Sequence, residues 1–343
     1  MTSHINRQWR LASRPRAMVE VSNFEYHEAP IPEPRDGQVL VRNLYLSFDP
    51  AMRAWLWDRE TYIAPVKIGE VMRAGSVAQV IESRKAGFSK GDFVVGAFGW
   101  QDYAAASGEG PVPMTKIPPG VPLTWPLGVL GMTGLTAYFG LLDIGQPQSA
   151  QMVVVSGAAG AVGSIAGQIA KIHGCRVVGI AGGGKKCAWL TDEASFDAAI
   201  DYKSQNIGER LGELCAQGMD VYFDNVGGTT LEAALDHLAL RARVVLCGGI
   251  SGYNTPGGPP GPRNYLNLLV KRARMEGFVI FDYQPRFAEA LPRLLQWSLE
   301  GRLKFKEDIQ EGFDHIPRTL LRLYTGDNFG KQLLKLADPP IAV

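Results

Sequence analysis

The sequence predicts an α/β protein in two parts, a doubly wound parallel sheet joined to a mostly β domain. Three observations predict it. From Met152 onward, short apolar strands alternate with helical stretches over roughly 150 residues, which is the pattern of strands and crossover helices in a parallel sheet. The first 120 residues instead carry short strand-like runs cut by Gly, Pro and Asp turns. With 343 residues, of which 46% are hydrophobic, the chain is long enough for about two substantial cores.

In the N-terminal part the runs GQVLVRNLYLS (37–47), GSVAQVIES (75–83) and GDFVVGAFGW (91–100) read as strands. MVVVS (152–156) reads as a buried strand. After it, Val162, Ile165, Ala166 and Ile169 fall on one helical face, and Gly174 supplies the stop. CRVVGIA, DAAID, MDVYFDNV and ARVVLCGG follow as further short strands, with helical stretches such as TTLEAALDHLAL (229–240) between them. After the Gly/Pro-rich loop SGYNTPGGPPGPRN (251–264) and a helix–strand unit, the tail from about Gly301 returns to short mixed elements ending in GKQLLKL. The domain expectation is therefore residues 1–128 completed by 301–343, with 129–300 as the parallel-sheet domain.

Composition narrows the function. The formal net charge is +1 and the lysines and arginines are scattered, so there is no electrostatic case for nucleic acid or a membrane surface as partner. MTSHINRQWRLASRPRA has no apolar run that could serve as a signal-peptide core, so the mature chain is expected to start here. Asp143 is the only charge between Lys116 and Lys171, but prolines and glycines punctuate that stretch, which argues against membrane spans. Cys175, Cys187, Cys215 and Cys247 form no CxxC pair, a pattern of reduced thiols in a cytoplasmic protein.

The stretch VVVSGAAGAVG (153–163) carries the main chemical signal. Three β-branched residues give way to a run almost without side chains, as happens where an anion must lie against the backbone. Aligned on the dinucleotide fingerprint G-x-G-x-x-G of Rossmann domains, it reads Ala158, Gly160 and Gly163. The tasks are a tight turn, room for a pyrophosphate, and close packing of helix on strand. Ala161 and Val162 open the following helix, whose free N–H groups and dipole favour an anion. A turn of this kind can also serve helix packing alone, but its place between strand and helix points to a dinucleotide. An NAD site usually ends its second strand with an acid, about 20 residues on, for the ribose 2′-hydroxyl. Here VVGIAGGGKKC ends in glycines followed by Lys185 and Lys186, which favours the 2′-phosphate of NADP(H).

Motifs from end to end then carry a family resemblance: LSFDPAMR, IGEVM, GWQDY, GMTGLTAYFGLLDIG, AAGAVG, FDNVGG, CGGIS followed by GYN, RMEGF and NFGK. The chain resembles the zinc-independent medium-chain dehydrogenase/reductases, in the group of prostaglandin reductase, leukotriene B4 dehydrogenase and bacterial curcumin reductase. The resemblance implies a GroES-like catalytic domain beside the Rossmann domain, NADPH as cofactor, and a homodimer. It puts the pyrophosphate on Ala158 to Gly163 and the 2′-phosphate on Lys186, with Tyr202 near the adenosine end. Asn225 and the segment from Cys247 and Gly248 through Ile250 and Ser251 to Tyr253 would line the cofactor. Phe278, Val279, Ile280 and Asn328 would hold the nicotinamide side. One departure is Ala51, where the group commonly has tyrosine in DPYMR, so the substrate pocket is expected to be lined differently.

Zinc sites need a cluster of Cys and His ligands, and the first 170 residues contain no cysteine and only His4 and His27, so no metal is expected. Without a metal to polarise an alcohol, the chemistry natural to NADPH is hydride delivery to an electron-poor carbon. In an α,β-unsaturated ketone or aldehyde that carbon is Cβ; the enolate then needs hydrogen-bond donors at oxygen and a proton at Cα. Tyr253 is the candidate for such a donor, or for orienting the ribose hydroxyls. Two other readings stand beside this one: a zinc-free NADPH quinone reductase, and a non-catalytic NADPH-binding protein.

Overall fold

The computed structural model describes residues 5–110 and 112–341; His4, counted above, lies outside them. The chain divides into two compact units. One holds the residues up to Leu127 with Glu307–Asp327 and Gln332 onward; the other holds Gly128–Lys306 with Asn328–Lys331.

The first unit is mostly β. Strands β1 (Ile5–Leu11) and β2 (Phe24–Pro30) pair antiparallel. A larger sheet is built from β3 (Val39–Ser47), β4 (Ser76–Ser83), β5 (Phe93–Gly96), β6 (Tyr103–Ala106) and β7 (Thr115–Lys116). The three runs read as strands in the sequence are β3, β4 and β5. Near the C-terminus β14 (Glu307–Glu311) and β15 (Lys331–Lys335) extend the same sheet, in the order β14-β15-β3-β4-β5-β7 with β6 also on β3. The short helix α1 (Met52–Trp55) and the amphipathic helix α9 (Ile316–Thr325) close a core in which Leu11, Phe48, Met52, Trp100, Phe313 and Leu320 are fully or almost fully buried.

The second unit is a doubly wound sheet. Its strands are β8 (Met152–Ser156), β9 (Arg176–Ala181), β10 (Ala198–Asp201), β11 (Met219–Asp224), β12 (Leu238–Leu246) and β13 (Arg274–Gly277). They lie in the order β10-β9-β8-β11-β12-β13, all parallel. The helices are α2 (Met132–Phe139), running on into a π-helical turn at Gly140–Gly145, then α3 (Ala161–Ile172), α4 (Gly184–Asp192), α5 (Ile207–Leu214), α6 (Gly228–Leu235), α7 (Asn267–Lys271) and α8 (Phe287–Leu299). β8 is buried along its whole length, as a strand covered on both faces must be. The helical face read from the sequence is the packed face of α3, where Ile165, Ala166 and Ile169 are buried.

One expected boundary moves. TTLEAALDHLAL was read as helix throughout, but α6 stops at Leu235 and Leu238–Leu240 already belong to β12. Leu238 pairs with Met219 across the ladder, and Arg241 at φ +62° marks the irregularity where the register shifts before Arg243 meets Val221. Strand pairing with β11 outweighs the helical propensity of LAL. Among the described residues no helix is long and apolar enough to cross a membrane.

Candidate functional site

In a sheet of this topology ligands bind outside the carboxyl ends of the strands where the strand order reverses, and that point lies between β8 and β11. β8 ends at Ser156 and the chain turns at Gly157, whose φ of +58° is in the left-handed region. Gly160 then caps α3, its N–H donating to Gly157 O at 2.9 Å. A glycine cap offers no side-chain acceptor to the first N–H groups of the helix, which an anion can then take. A Cβ on Gly163 would lie 2.4 Å from Gly157 O and 3.0 Å from Ala158 Cα, so glycine alone lets α3 sit this close to the turn. Ala161 and Val162 form the half-buried first turn of α3.

The expected division of labour changes in one place. Ala158 was assigned the tight turn, yet the left-handed residue is Gly157. Ala158 is fully buried; its N–H donates to Ile180 O at 3.0 Å, and its methyl lies 2.9 Å from where a Cβ on Gly179 would stand. The working spacing is thus Gly157, Gly160, Gly163, and Ala158 packs the loop onto β9.

On the β9–β10 side, β9 runs out into Gly182, Gly183 and Gly184, and α4 begins with Lys185 exposed and Lys186 half-buried in its first turn. No carboxylate comes from the end of β9. The nearby acid is Asp201 at the end of β10, and it is turned onto backbone: Oδ1 accepts from Gly183 N at 2.7 Å and from Lys203 N at 3.0 Å. The Gly183 N–H in particular holds the Asp201 carboxyl below the usual carboxylate range. The Tyr202 hydroxyl lies 2.7 Å from where a Cβ on Gly182 would stand, so the ring fills the space of any side chain there. Lys186, Tyr202 and the 182–184 loop thus lie together at the carboxyl ends of β9 and β10.

On the β11–β12 side the predicted residues are laced together. Asn225 Nδ2 donates to Ser156 O at 2.7 Å, and Asn225 O accepts from Ile250 N at 3.2 Å. The Ser251 hydroxyl donates to Val226 O at 2.6 Å. Cys247 N and Gly248 N donate to Asp224 O at 2.9 and 3.0 Å. Burial, with Asp224 adding to it, pushes the Cys247 thiol up to about 12, so it stays protonated at neutral pH and acts as a small apolar group. The Tyr253 hydroxyl accepts from Gly249 N at 3.1 Å, which makes the ring a brace of its own loop.

Phe278 packs its ring tip against Gly140, where a Cβ would lie 2.4 Å away, and stands edge-on to Tyr283 at 6.2 Å. Val279 is extended and Ile280 begins a tight turn, both half-buried. Asn328 donates to Gly330 O at 3.1 Å, and Gly330 N donates to Ala159 O at 3.0 Å, so NFGK lies against the glycine turn itself. Sequence reasoning missed Gly157, Ser156, Asp201 and Asp224. Asp224 stands inside the quoted motif FDNVGG, and an acid at the end of an apolar strand was the available signal.

In the first unit, Ala51 is half-buried at the start of α1; Ser47 Oγ donates to Asp49 at 2.6 Å beside it, and the guanidinium of buried Arg53 donates to the carbonyls of Pro15 and Ala17.

A family profile described as the N-terminal domain of oxidoreductase matches residues 7–114, and one described as zinc-binding dehydrogenase matches residues 161–296. The chain is 43% identical over 337 residues to the NADPH-dependent curcumin reductase of Escherichia coli, covering 97% of each. It is 40% identical over 321 residues to prostaglandin reductase 1 of Bos taurus, covering 92% of this chain and 94% of that one. The chain belongs to the medium-chain dehydrogenase/reductase family. The crystal structure of CurA from Vibrio vulnificus in complex with NADPH superposes with a TM-score of 0.92 at 43% identity, over 97% of this chain and 100% of that chain. The zinc in the second profile's description finds no matching donor set here: no cysteine precedes Cys175, and the described residues hold no group of three or more His, Cys, Asp or Glu able to take a metal.

Proposed function

We propose that this protein reduces the C=C bond of α,β-unsaturated ketones and aldehydes with NADPH, adding hydride at Cβ and a proton at Cα and leaving the carbonyl in place. The observation that carries the reading is the match to an NADPH-dependent curcumin reductase along 97% of both chains. NADPH, when bound, supplies the hydride. The chain's own contribution is placement. The Gly157–Gly163 turn and the N-terminus of α3 take the pyrophosphate. Lys186, in the first turn of α4, pairs with the 2′-phosphate, and the absence of an acid at the end of β9 spares that phosphate a repulsion. Asn225, the 247–253 segment, Phe278 to Ile280 and Asn328 line the other half. Tyr253 keeps its place as the candidate donor, with its ring anchored by Gly249 N–H.

We extend the proposal to a homodimer. β13 ends the sheet, and beside it Tyr265, Leu266, Leu269 and Val270 are more than half exposed, an apolar patch that a second copy would cover. A cytoplasmic location accords with four cysteines that form no disulfide.

The test is NADPH consumption, followed at the nicotinamide absorbance band, with a simple trans-enone, a quinone and no acceptor. Turnover with the enone is expected. Turnover with the quinone alone would replace the reading by quinone reduction, and binding without turnover by a non-catalytic role.

A further inference from the structure

We propose that Asp224 is the positioning residue of the nicotinamide half of the site: its buried carboxylate ties Ser156, just before the Gly157 turn, to the 225–228 loop, and that loop's backbone carbonyls, with Asp224's own, carry the 247–253 segment. The proposal rests on the cofactor reading above.

Asp224 is completely buried at the last position of β11, on the strand that faces β8 across the reversal of strand order. Its side chain receives four donors. Ser156 Oγ reaches Oδ1 at 2.7 Å and Tyr222 OH reaches it at 3.0 Å; the backbone N–H groups of Val226 and Gly227 follow at 3.1 Å each. Gly227 N also lies 3.1 Å from Oδ2. Two of these donors are backbone N–H groups that cannot accept, so the arrangement is built for an acceptor-only carboxylate. Burial pushes the Asp224 carboxyl up, and the Gly227, Ser156, Val226 and Tyr222 donors pull against it. Among the described residues no lysine or arginine pairs with it. An unpaired buried anion is costly, and such groups cluster at functional sites.

The neighbours pass this hold outward. Ser156 Oγ, while donating to Asp224, accepts from Asn225 N at 2.9 Å, which fixes the residue before the Gly157 turn against the loop after β11. The Asp224 carbonyl takes Cys247 N and Gly248 N; the carbonyls of Asn225 and Val226 take Ile250 N and Ser251 N. Three segments from three strands therefore meet on one residue. A doubly wound sheet seats one mononucleotide on each half, and the adenosine end lies on the β9–β10 side with Lys186 and Tyr202. Asp224 touches only segments of the other half and of the central turn.

That asymmetry gives the test. Binding of NADPH and of adenosine 2′,5′-bisphosphate, which carries the adenosine half alone, is measured by calorimetry on the native protein and on Asp224→Asn. The neutral isostere meets backbone donors with an amide that also donates, so NADPH should bind roughly 10- to 100-fold more weakly, the scale of one or two charge-assisted hydrogen bonds. Binding of the bisphosphate, which meets the central turn only through its 5′-phosphate, should fall far less. If Asp224→Asn does not fold, Ser156→Ala removes one donor and should show the same selective loss to a smaller degree. Equal loss of both ligands, or no loss of either, overturns the proposal. A native protein that binds neither ligand overturns the cofactor reading itself, whereas native binding of both that survives Asp224→Asn unchanged overturns only the role of Asp224.

Discussion

Gly163→Ala is the sharpest test of the glycine turn. The new methyl would stand 2.4 Å from Gly157 O and 3.0 Å from both Ala158 Cα and Gly157 C. All three are backbone atoms, so no flexible side chain can swing away; either α3 lifts off the sheet or the turn is pushed outward. A carbon–oxygen contact is comfortable at about 3.3 Å, so the strain asks for a shift approaching 1 Å, and overpacking of this kind costs about 1–3 kcal/mol. For a domain of this size that corresponds to a fall in Tm of roughly 2–10 °C. The same shift moves the backbone that faces the pyrophosphate, so NADPH affinity should fall about tenfold or more. The control is Gly184→Ala at the start of α4, where a Cβ meets nothing within 4 Å and the backbone is not left-handed; it should leave Tm unchanged or slightly raised. Differential scanning fluorimetry and fluorescence titration with NADPH measure both variants. If Gly163→Ala matches the native protein in Tm and affinity, the close-approach reasoning fails.

Lys186→Ala should weaken NADPH binding by about 1–3 kcal/mol and leave NADH nearly untouched, measured by titration with each cofactor; equal losses would show that Lys186 does not read the 2′-phosphate. Gly182→Asp, which places an acid where NAD enzymes carry one, should not by itself create an NADH enzyme, because the Tyr202 hydroxyl lies 2.7 Å from the new Cβ; kcat/KM for NADH rising to the native NADPH value would contradict this. Dialysis against a chelator should leave activity intact and elemental analysis should find no stoichiometric zinc, whereas activity lost on chelation and restored by zinc would contradict the ligand argument.

The parallel sheet was legible because five of its six strands, all but β13 (RMEG), contain short apolar runs between turn residues, and α3 because four apolar residues repeat at helical spacing. The end of α6 was not, since LAL suits a helix locally and joins β12 only through its pairing with β11, a contact between distant residues. The glycine turn was legible in outline, but which residue takes the left-handed conformation depends on what lies beneath: Ala158 faces Gly179 of the next strand, and that leaves the turn to Gly157. The Lys186 end was readable from an absence, the missing acid after β9. Why that absence is enforced was not readable, because Tyr202 reaches Gly182 from the neighbouring strand. Asp224 escaped notice for the same reason: in sequence it is one more acid, and only folding brings Ser156 and Tyr222 onto it.

Hydride goes to carbon Cβ and not to the carbonyl. Conjugate addition spreads the developing charge onto an oxygen that hydrogen-bond donors can stabilise. The most direct measurement is to incubate the protein with NADPH and a simple trans-enone and to identify the product by NMR and mass spectrometry. A saturated ketone is the expected product; an allylic alcohol would contradict the claim.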